Sequence, residues 1–544
     1  MGDKRRSNFI LQSTILAFSS IIVRIIGLAY RIPLINIIGE EGMAVYAVAF
    51  DIYSLMLIIS SYSLPLAVSK LVSARVAVGK MKNAYRVFLG ALGASSCVGV
   101  LVSFFTFFGA DFLANLYDSP ESATALKVLA PALIVMSMLG VFRGFFNGLG
   151  NMIPTALSQV LEQIANAIIS IVAAKYLYDM AVNVTKAQEF GAAGSTFGTL
   201  TGAFVALIFM MFIFYIYRKN KFVYRKINDN RYETERYEDI MKLLILTVIP
   251  VILNTTVYNL SSLTDNAIFN NLMNFKEINP EIRKTLLGTY VGQYKVITNV
   301  PIAFASALSV SIVPTLIASV SKGDKDKIIS KINTGIRFSM LIAIPCTVGL
   351  SILAEPVMKM LFGFGGRDVT LAASMLRWGS PLILFYSLST LTNSILQGID
   401  KISVPVRHSF ISFIIHLIAL IPMLLFTDLG IYAVIIANIF FALSVTLMNA
   451  VALNKHLGYR QEKIKTFVLP IIVSGIMGVI TYFSYEILYN NIKNNILSTM
   501  ISILLSVIVY FVLLLKFKIV SENELAGMPK GRKLLKLAKK LKLM

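Results

Sequence analysis

The sequence predicts an all-α polytopic membrane protein of about 14 transmembrane helices, built as two pseudo-symmetric six-helix lobes with two further C-terminal helices. Three observations lead there. Over 544 residues the chain is 56% hydrophobic and only 14% charged, against about 25% charged in soluble domains. Its apolar runs are long and unbroken, and its two halves resemble each other. A crossing takes about 20 apolar residues, so little length remains for a large soluble domain. A cytosolic enzyme, a secreted disulfide scaffold and a disordered tail are excluded, and the short alternating strands of a porin-like barrel would not produce such runs.

The start has Lys4, Arg5 and Arg6 ahead of an apolar stretch, as a signal peptide would. That stretch runs past Leu34, carries Arg24 and lacks a small-residue cleavage site, so it reads as a retained first helix. Further runs bounded by charge and turn signals give spans at 9–37, 43–69, 84–112, 123–148, 152–178, 190–217, 240–270, 287–320, 333–362, 371–397, 402–427, 429–455, 463–488 and 494–518. Most of the 50 Lys and Arg fall on one side if the N-terminus is cytoplasmic, which by the positive-inside rule sets a multi-pass protein of the cytoplasmic membrane with both termini cytoplasmic. The net charge of +22 is thereby explained by topology, and no nucleic-acid partner is expected. The basic loop Arg218 to Lys242 separates a first lobe, 1–231, from a second, 232–458, followed by the additional helices at 459–519 and a basic tail at 520–544. In that tail Leu534, Ala538 and Leu541 share one helical face among lysines, which suits either anionic headgroups or a solvated tail.

An offset of 250 residues sets Lys127 on Arg377, Pro131 on Pro381, Ser137 on Ser387 and Gly148 on Gly398, and one of 244 sets Tyr46 on Tyr290 and Asp51 on Lys295. A shift spanning six helices means two halves of the same orientation. Such halves place a substrate site where they meet, which is transporter architecture. Gly194, Gly198 and Gly202 leave a smooth face on the sixth span for a neighbouring helix.

A charge at mid-membrane costs roughly 2.5–3.5 kcal/mol on insertion scales, so each one needs a partner, a wet cavity or a purpose. Arg24 and Arg31 lie two turns apart on one face of the first helix, suited to an anionic headgroup such as pyrophosphate; the alternative is that Arg24 pairs with Asp51 or Glu162 and Arg31 snorkels. Lys295 is a third candidate for the same cavity, and Asp51 opposes it in the repeat. Glu162 sits with Ser158, Gln159 and Gln163 on a polar stripe of the fifth span. Asp265, among Thr255, Asn259, Ser261 and Thr264, is the candidate for a coupling cation, sodium or proton. Arg143 reads as a topology anchor and Trp378 as an interfacial anchor. Cys97 and Cys346 stand alone, and His408, His416 and His456 lack metal-ligand spacing. With no phosphate-binding glycine loop, no nucleophile with its base and no paired catalytic carboxylates, the chain is not expected to be an enzyme or to need a cofactor.

The stretches IIVRIIGLAYRIPL at 21–34, SSYSLPLAVSKLVS at 60–73 and FRGFFNGLGNMIPTALSQVLEQI at 142–164 resemble the stage V sporulation protein B group of polysaccharide biosynthesis proteins. That group belongs with lipid II flippases, O-antigen flippases and MATE drug exporters in one superfamily. The resemblance implies two six-helix lobes plus two helices that, in lipid II flippases, form a groove for the lipid tail. It also implies basic residues of helices one, two and eight around a central cavity: Arg24 stands in the first place, Arg31 is displaced by one residue, helix two offers Asp51 where the family carries a cation, and Lys295 is near the helix-eight position. Some of these flippases bind sodium between helices seven, eleven and twelve; Asp265 fits the first of these, and helix eleven offers no central carboxylate. The expected function is therefore flipping of a polyprenyl-pyrophosphate-linked saccharide, a peptidoglycan precursor foremost, by alternating access. Expected partners are this lipid-linked oligosaccharide, membrane lipids and cell-wall synthesis proteins. The rivals are an ion-coupled exporter of cationic drugs and a membrane scaffold for cell-wall enzymes.

Overall fold

A computed structural model describes residues 2–220, 233–320, 325–401, 403–520, 522 and 539. Most of the basic loop between the sixth and seventh spans and the expected amphipathic helix Gly531 to Met544 lie outside them. The described residues are almost wholly helical, as their composition and periodicity demand.

The first expected span and the opening part of the second form one element, α1 (Gly2–Leu57), broken at Gly39, whose φ of 72° suits a residue without Cβ. A π-helical turn (Ile58–Tyr62) leads into α2 (Leu64–Ala77). Then follow α3 (Met81–Phe108), α4 (Ala110–Leu116), α5 (Ser122–Gly148), α6 (Ile153–Asp179), α7 (Val184–Lys219), α8 (Tyr237–Phe275) and α9 (Pro280–Thr289). After a second π-helical turn (Tyr290–Tyr294) come α10 (Lys295–Val320), α11 (Lys325–Ile352), α12 (Ala354–Phe362), α13 (Thr370–Gly379), α14 (Pro381–Gly398), α15 (Ser403–Phe426), α16 (Ile431–Leu457), α17 (Leu469–Ile492) and α18 (Asn495–Lys516). By length and apolarity the described residues hold 11 candidate spans, one of them the 59-residue segment Ser19–Ala77. Fourteen were expected. The difference of three lies in that long segment, more than one crossing requires and holding two expected spans, in the run at 287–320, whose helix α10 is not among the candidates, and in the run at 371–397, which Pro381 divides into helices of 10 and 18 residues.

The chain forms two compact units. The first comprises Met1–Gly292 with Leu417–Val434, the second Gln293–His416 with Ile435–Met544, so packing divides the chain after Gly292 rather than at the basic loop. In the first unit the core gathers Val68, Leu71, Phe88, Phe142, Phe145 and Ile240, with the Phe88 ring 4.8 Å from that of Phe145. Arg75 and Arg86 tie the entry to α8 down, Arg75 pairing with the Glu235 carboxylate and Arg86 donating to the Glu235 carbonyl at 2.9 Å. In the second unit α17 and α18 join through Thr481 and Ser506, 2.7 Å apart, and Tyr510 donates to the Leu341 carbonyl of α11 at 3.0 Å.

The glycine stripe of α7 lies against α6. A Cβ at Gly198 would meet Ser170 Oγ at 2.1 Å and the Ser170 backbone N at 2.5 Å, and one at Gly202 would meet the Glu162 carbonyl at 2.6 Å. Because the blocking atoms at Gly198 include backbone, Gly198→Val is expected to force the helices apart and cost about 3 kcal/mol. It would be read as a lowered unfolding midpoint in detergent, and an unchanged midpoint would contradict the packing.

Candidate functional site

The polar stripe of α6 runs Ser158, Gln159, Glu162, Gln163, Asn166, Ser170, a spacing that keeps all six on about one face. Its centre is an ion pair. Arg143 of α5, only 9% exposed, places Nη2 2.6 Å from Glu162 Oε2 and donates from Nε to Ser158 Oγ at 2.9 Å. Arg143 is thus an interior partner and not the topology anchor its position in the sequence suggested. It was missed because its distance from the span's centre looked interfacial, while the carboxylate it answers lies 19 residues away.

The α1 face carries Arg24, Gly27 and Arg31. Since Gly27 has no side chain, the amide of Gln163 approaches the helix there, 3.3 Å from where a Cβ would stand, between the two arginines. Gln159, one turn earlier on α6, has Oε1 buried without a donor. Arg31 is partly buried against the hydroxyls of Tyr30 and Tyr46, neutral groups that leave its charge uncancelled. Arg24 is exposed and lies near Tyr62; among the described residues no carboxylate pairs with it. The two carboxylates proposed as its neutralisers are engaged elsewhere, Glu162 by Arg143 and Asp51 by the amide of Asn266.

Asp51 and Asp265 lie near the junction of α1 and α8. Asp265 is fully buried, Asn266 beside it donates to Asp51, and Ser261, one turn earlier, has a buried hydroxyl without a partner. Among the described residues no three His, Cys, Asp or Glu gather as a metal site. A cation near Asp265 would draw on hydroxyl, amide and carbonyl oxygens, the donor set of a hard ion. Lys295 belongs to the second unit. It is partly buried and engaged, and begins α10 directly after the π-helical turn Tyr290–Tyr294, a distortion frequent at functional positions.

Sequence reasoning passed over a polar network at the α9 end of the first unit. Arg283, 7% exposed, pairs with the Asp118 carboxylate and donates to the Asn270 carbonyl at 3.1 Å. Lys284 reaches Glu121 at 2.6 Å, Asn270 donates to the Tyr117 carbonyl at 3.0 Å, and Tyr117 donates to the Leu263 carbonyl at 3.1 Å. Gly288 packs directly on the Glu40 backbone, with no room for a Cβ. These groups lie at span ends, where charge is ordinary, so periodicity does not single them out; the Asn279–Pro280 helix start is their one local signal. Arg283→Asp is expected to lower the unfolding midpoint by about 2 kcal/mol equivalent, and Asp118→Arg in the same chain to restore part of it. A single variant as stable as the parent would show that the pair is inert.

Residues 10–320 match the family described as polysaccharide biosynthesis protein, and residues 292–421 match the MatE family. The chain belongs to the polysaccharide biosynthesis protein family. It is 26% identical over 484 residues to the lipid II flippase MurJ of Bacillus subtilis strain 168, covering 87% of this chain and 88% of that one. It is 22% identical over 534 residues to stage V sporulation protein B of the same organism, covering 96% and 98%. Among solved structures, lipid II flippase MurJ in an inward closed conformation superposes with a TM-score of 0.67 at 15% identity, over 92% of this chain and 98% of that one. The fold is therefore MurJ- and MATE-like, the protein is a multi-pass membrane protein, and its relatives are flippases and transporters rather than enzymes.

Proposed function

We propose that the protein is a flippase that carries a polyprenyl-pyrophosphate-linked saccharide, foremost the peptidoglycan precursor lipid II, from the inner to the outer leaflet of the cytoplasmic membrane by alternating access, with both termini cytoplasmic. The observation that carries this reading is the α1 face: two arginines without a carboxylate partner among the described residues, with the Gln163 amide between them and an unsatisfied Gln159 oxygen nearby. Spontaneous flipping is slow because a charged, hydroxylated head must leave water. Guanidinium groups replace that water around a diphosphate through paired, charge-assisted bonds, and the amides of Gln159 and Gln163 do so for sugar hydroxyls. The tail stays in lipid, and no covalent step is needed.

Lys295 of the second unit is a further candidate cation for the substrate, and Asp265 is the residue through which sodium or a proton would couple. A drug-exporter reading draws on the MatE match and on the carboxylates Asp51 and Asp265; the cations of α1 argue against it, since a cationic drug wants the opposite charge. Complementation of a strain depleted of its lipid II flippase tests the proposal. Growth is the expected result, and failure of a well-expressed, membrane-inserted protein to rescue would reject lipid II as the substrate.

A further inference from the structure

Inside the second unit, α14, α15 and α16 are joined by a hydrogen-bonded chain that ends on the ring of His408. His408 Nδ1 lies 2.8 Å from Asn449 Oδ1, and the Asn449 amide nitrogen donates to Asn393 Oδ1 at 2.7 Å and to Thr392 Oγ1 at 3.0 Å. Asn449, Asn393 and Thr392 are all buried. The Thr392 hydroxyl donates to the Leu388 carbonyl at 2.8 Å, so toward Asn449 it accepts. This fixes the Asn449 amide, because turning it over would set its oxygen against the Asn393 oxygen. Asn449 Oδ1 therefore faces the imidazole, and since an amide oxygen only accepts, Nδ1 carries the hydrogen. In the neutral ring Nε2 is then the bare nitrogen, the one that can take a proton.

Protons have a way in. His408 lies in the second turn of α15 and is only partly buried, and Lys401 and Arg407 beside it are exposed, as cations are where a span meets water. The polar face of α15 continues inward: Ser412, one turn on, is fully buried with its hydroxyl unpartnered, and His416 follows a turn later, also fully buried. The helices around it bring few competing groups. α14 carries only Tyr386, which donates to Asn438 at 3.1 Å, and the last turn of α16 carries Lys455 and His456, both exposed. α10 brings Lys295, and α11, whose Ile328 and Ile332 share a core with Val404, brings Lys331 and Arg337, all three with partners of their own. The one carboxylate on these helices is Asp326, exposed in the first turn of α11.

Histidine is the side chain whose charge ordinarily changes between about pH 5 and 8, and an ionisable group within a span marks a site of function. We infer that His408 binds a proton at Nε2 while Nδ1–H stays on Asn449, and that transport responds to this charge; the site is separate from Asp265 and independent of which substrate the protein carries. The sequence holds three histidines, so the ring nitrogens of the full-length protein, isotope-labelled at histidine and held in lipid nanodiscs, are assigned by NMR from His408→Gln and His456→Gln. Between about pH 8 and 5 the parent is expected to lose the bare-nitrogen signal of His408 Nε2 while the Nδ1–H signal persists. Asn449→Leu, which removes the acceptor, is expected to shift hydrogen in the neutral ring from Nδ1 toward Nε2, an effect that loosened packing alone would not produce. In proteoliposomes, the response of the translocation rate to pH over the same range is expected to be lost in His408→Gln. A His408 ring that keeps one protonation state throughout, a neutral parent ring with its hydrogen on Nε2, or a full pH response in His408→Gln would each overturn the inference. A parent that moves no pyrophosphate-linked saccharide would reject the proposed substrate, and the NMR titration would still decide the proton site.

Discussion

Arg143→Ala is expected to destabilise the protein by about 3 kcal/mol, seen as a lowered unfolding midpoint in detergent and reduced yield in membranes. The reason is local. Removing the guanidinium leaves Glu162 charged in the interior of the first unit, with side-chain exposure of 24%, and deprives Ser158 of a donor. The loss belongs to the stranded carboxylate more than to the broken pair, so Arg143→Met/Glu162→Leu is expected to recover a large part of it. A single variant as stable as the parent would mean that water reaches Glu162 freely, and a double variant no better than the single would mean that Arg143 acts through packing.

Arg24→Ala is expected to behave in the opposite way, leaving the midpoint within about 0.5 kcal/mol of the parent while slowing translocation of a pyrophosphate-linked saccharide in proteoliposomes about 100-fold. That factor corresponds to about 2.7 kcal/mol, the scale of a charge-assisted hydrogen bond pair. Arg24 is exposed and has no carboxylate partner among the described residues, so little of the fold depends on it. Arg24→Lys keeps the charge but not the planar fork, and an intermediate rate is expected. Parallel assays of Arg31→Ala and Lys295→Ala measure what the other cations add. Unchanged transport by Arg24→Ala would remove it from the site.

Much of the architecture was legible because bilayer thickness forces long apolar runs and makes interior charge conspicuous. The Pro131–Pro381 and Gly148–Gly398 matches pointed to repetition, and Gly194, Gly198 and Gly202 do accept a neighbouring helix. What periodicity could not give is partnership. Which carboxylate answers which cation depends on helix rotation, so Arg143 looked like an anchor until Glu162 was found beside it, and Asp51 was matched to a lysine while Asn266 holds its oxygen. Helix breaks were only partly legible: Gly39 falls between the first two expected spans, whereas Pro381 divides a run that hydropathy alone reads as one crossing. The Arg283–Asp118 contact joins segments 165 residues apart, and only folding brings them together.

The sharpest test compares binding of two lipids that share one saccharide and one polyprenyl chain, one linked through pyrophosphate and the other through an uncharged linker, to the parent protein and to Arg24→Ala. A parent preference of about 100-fold for the charged lipid, largely abolished by Arg24→Ala, is the predicted result. Equal affinity of the parent for both lipids, or a preference that survives the substitution, would contradict the assignment of the first helix as the reader of the anionic head.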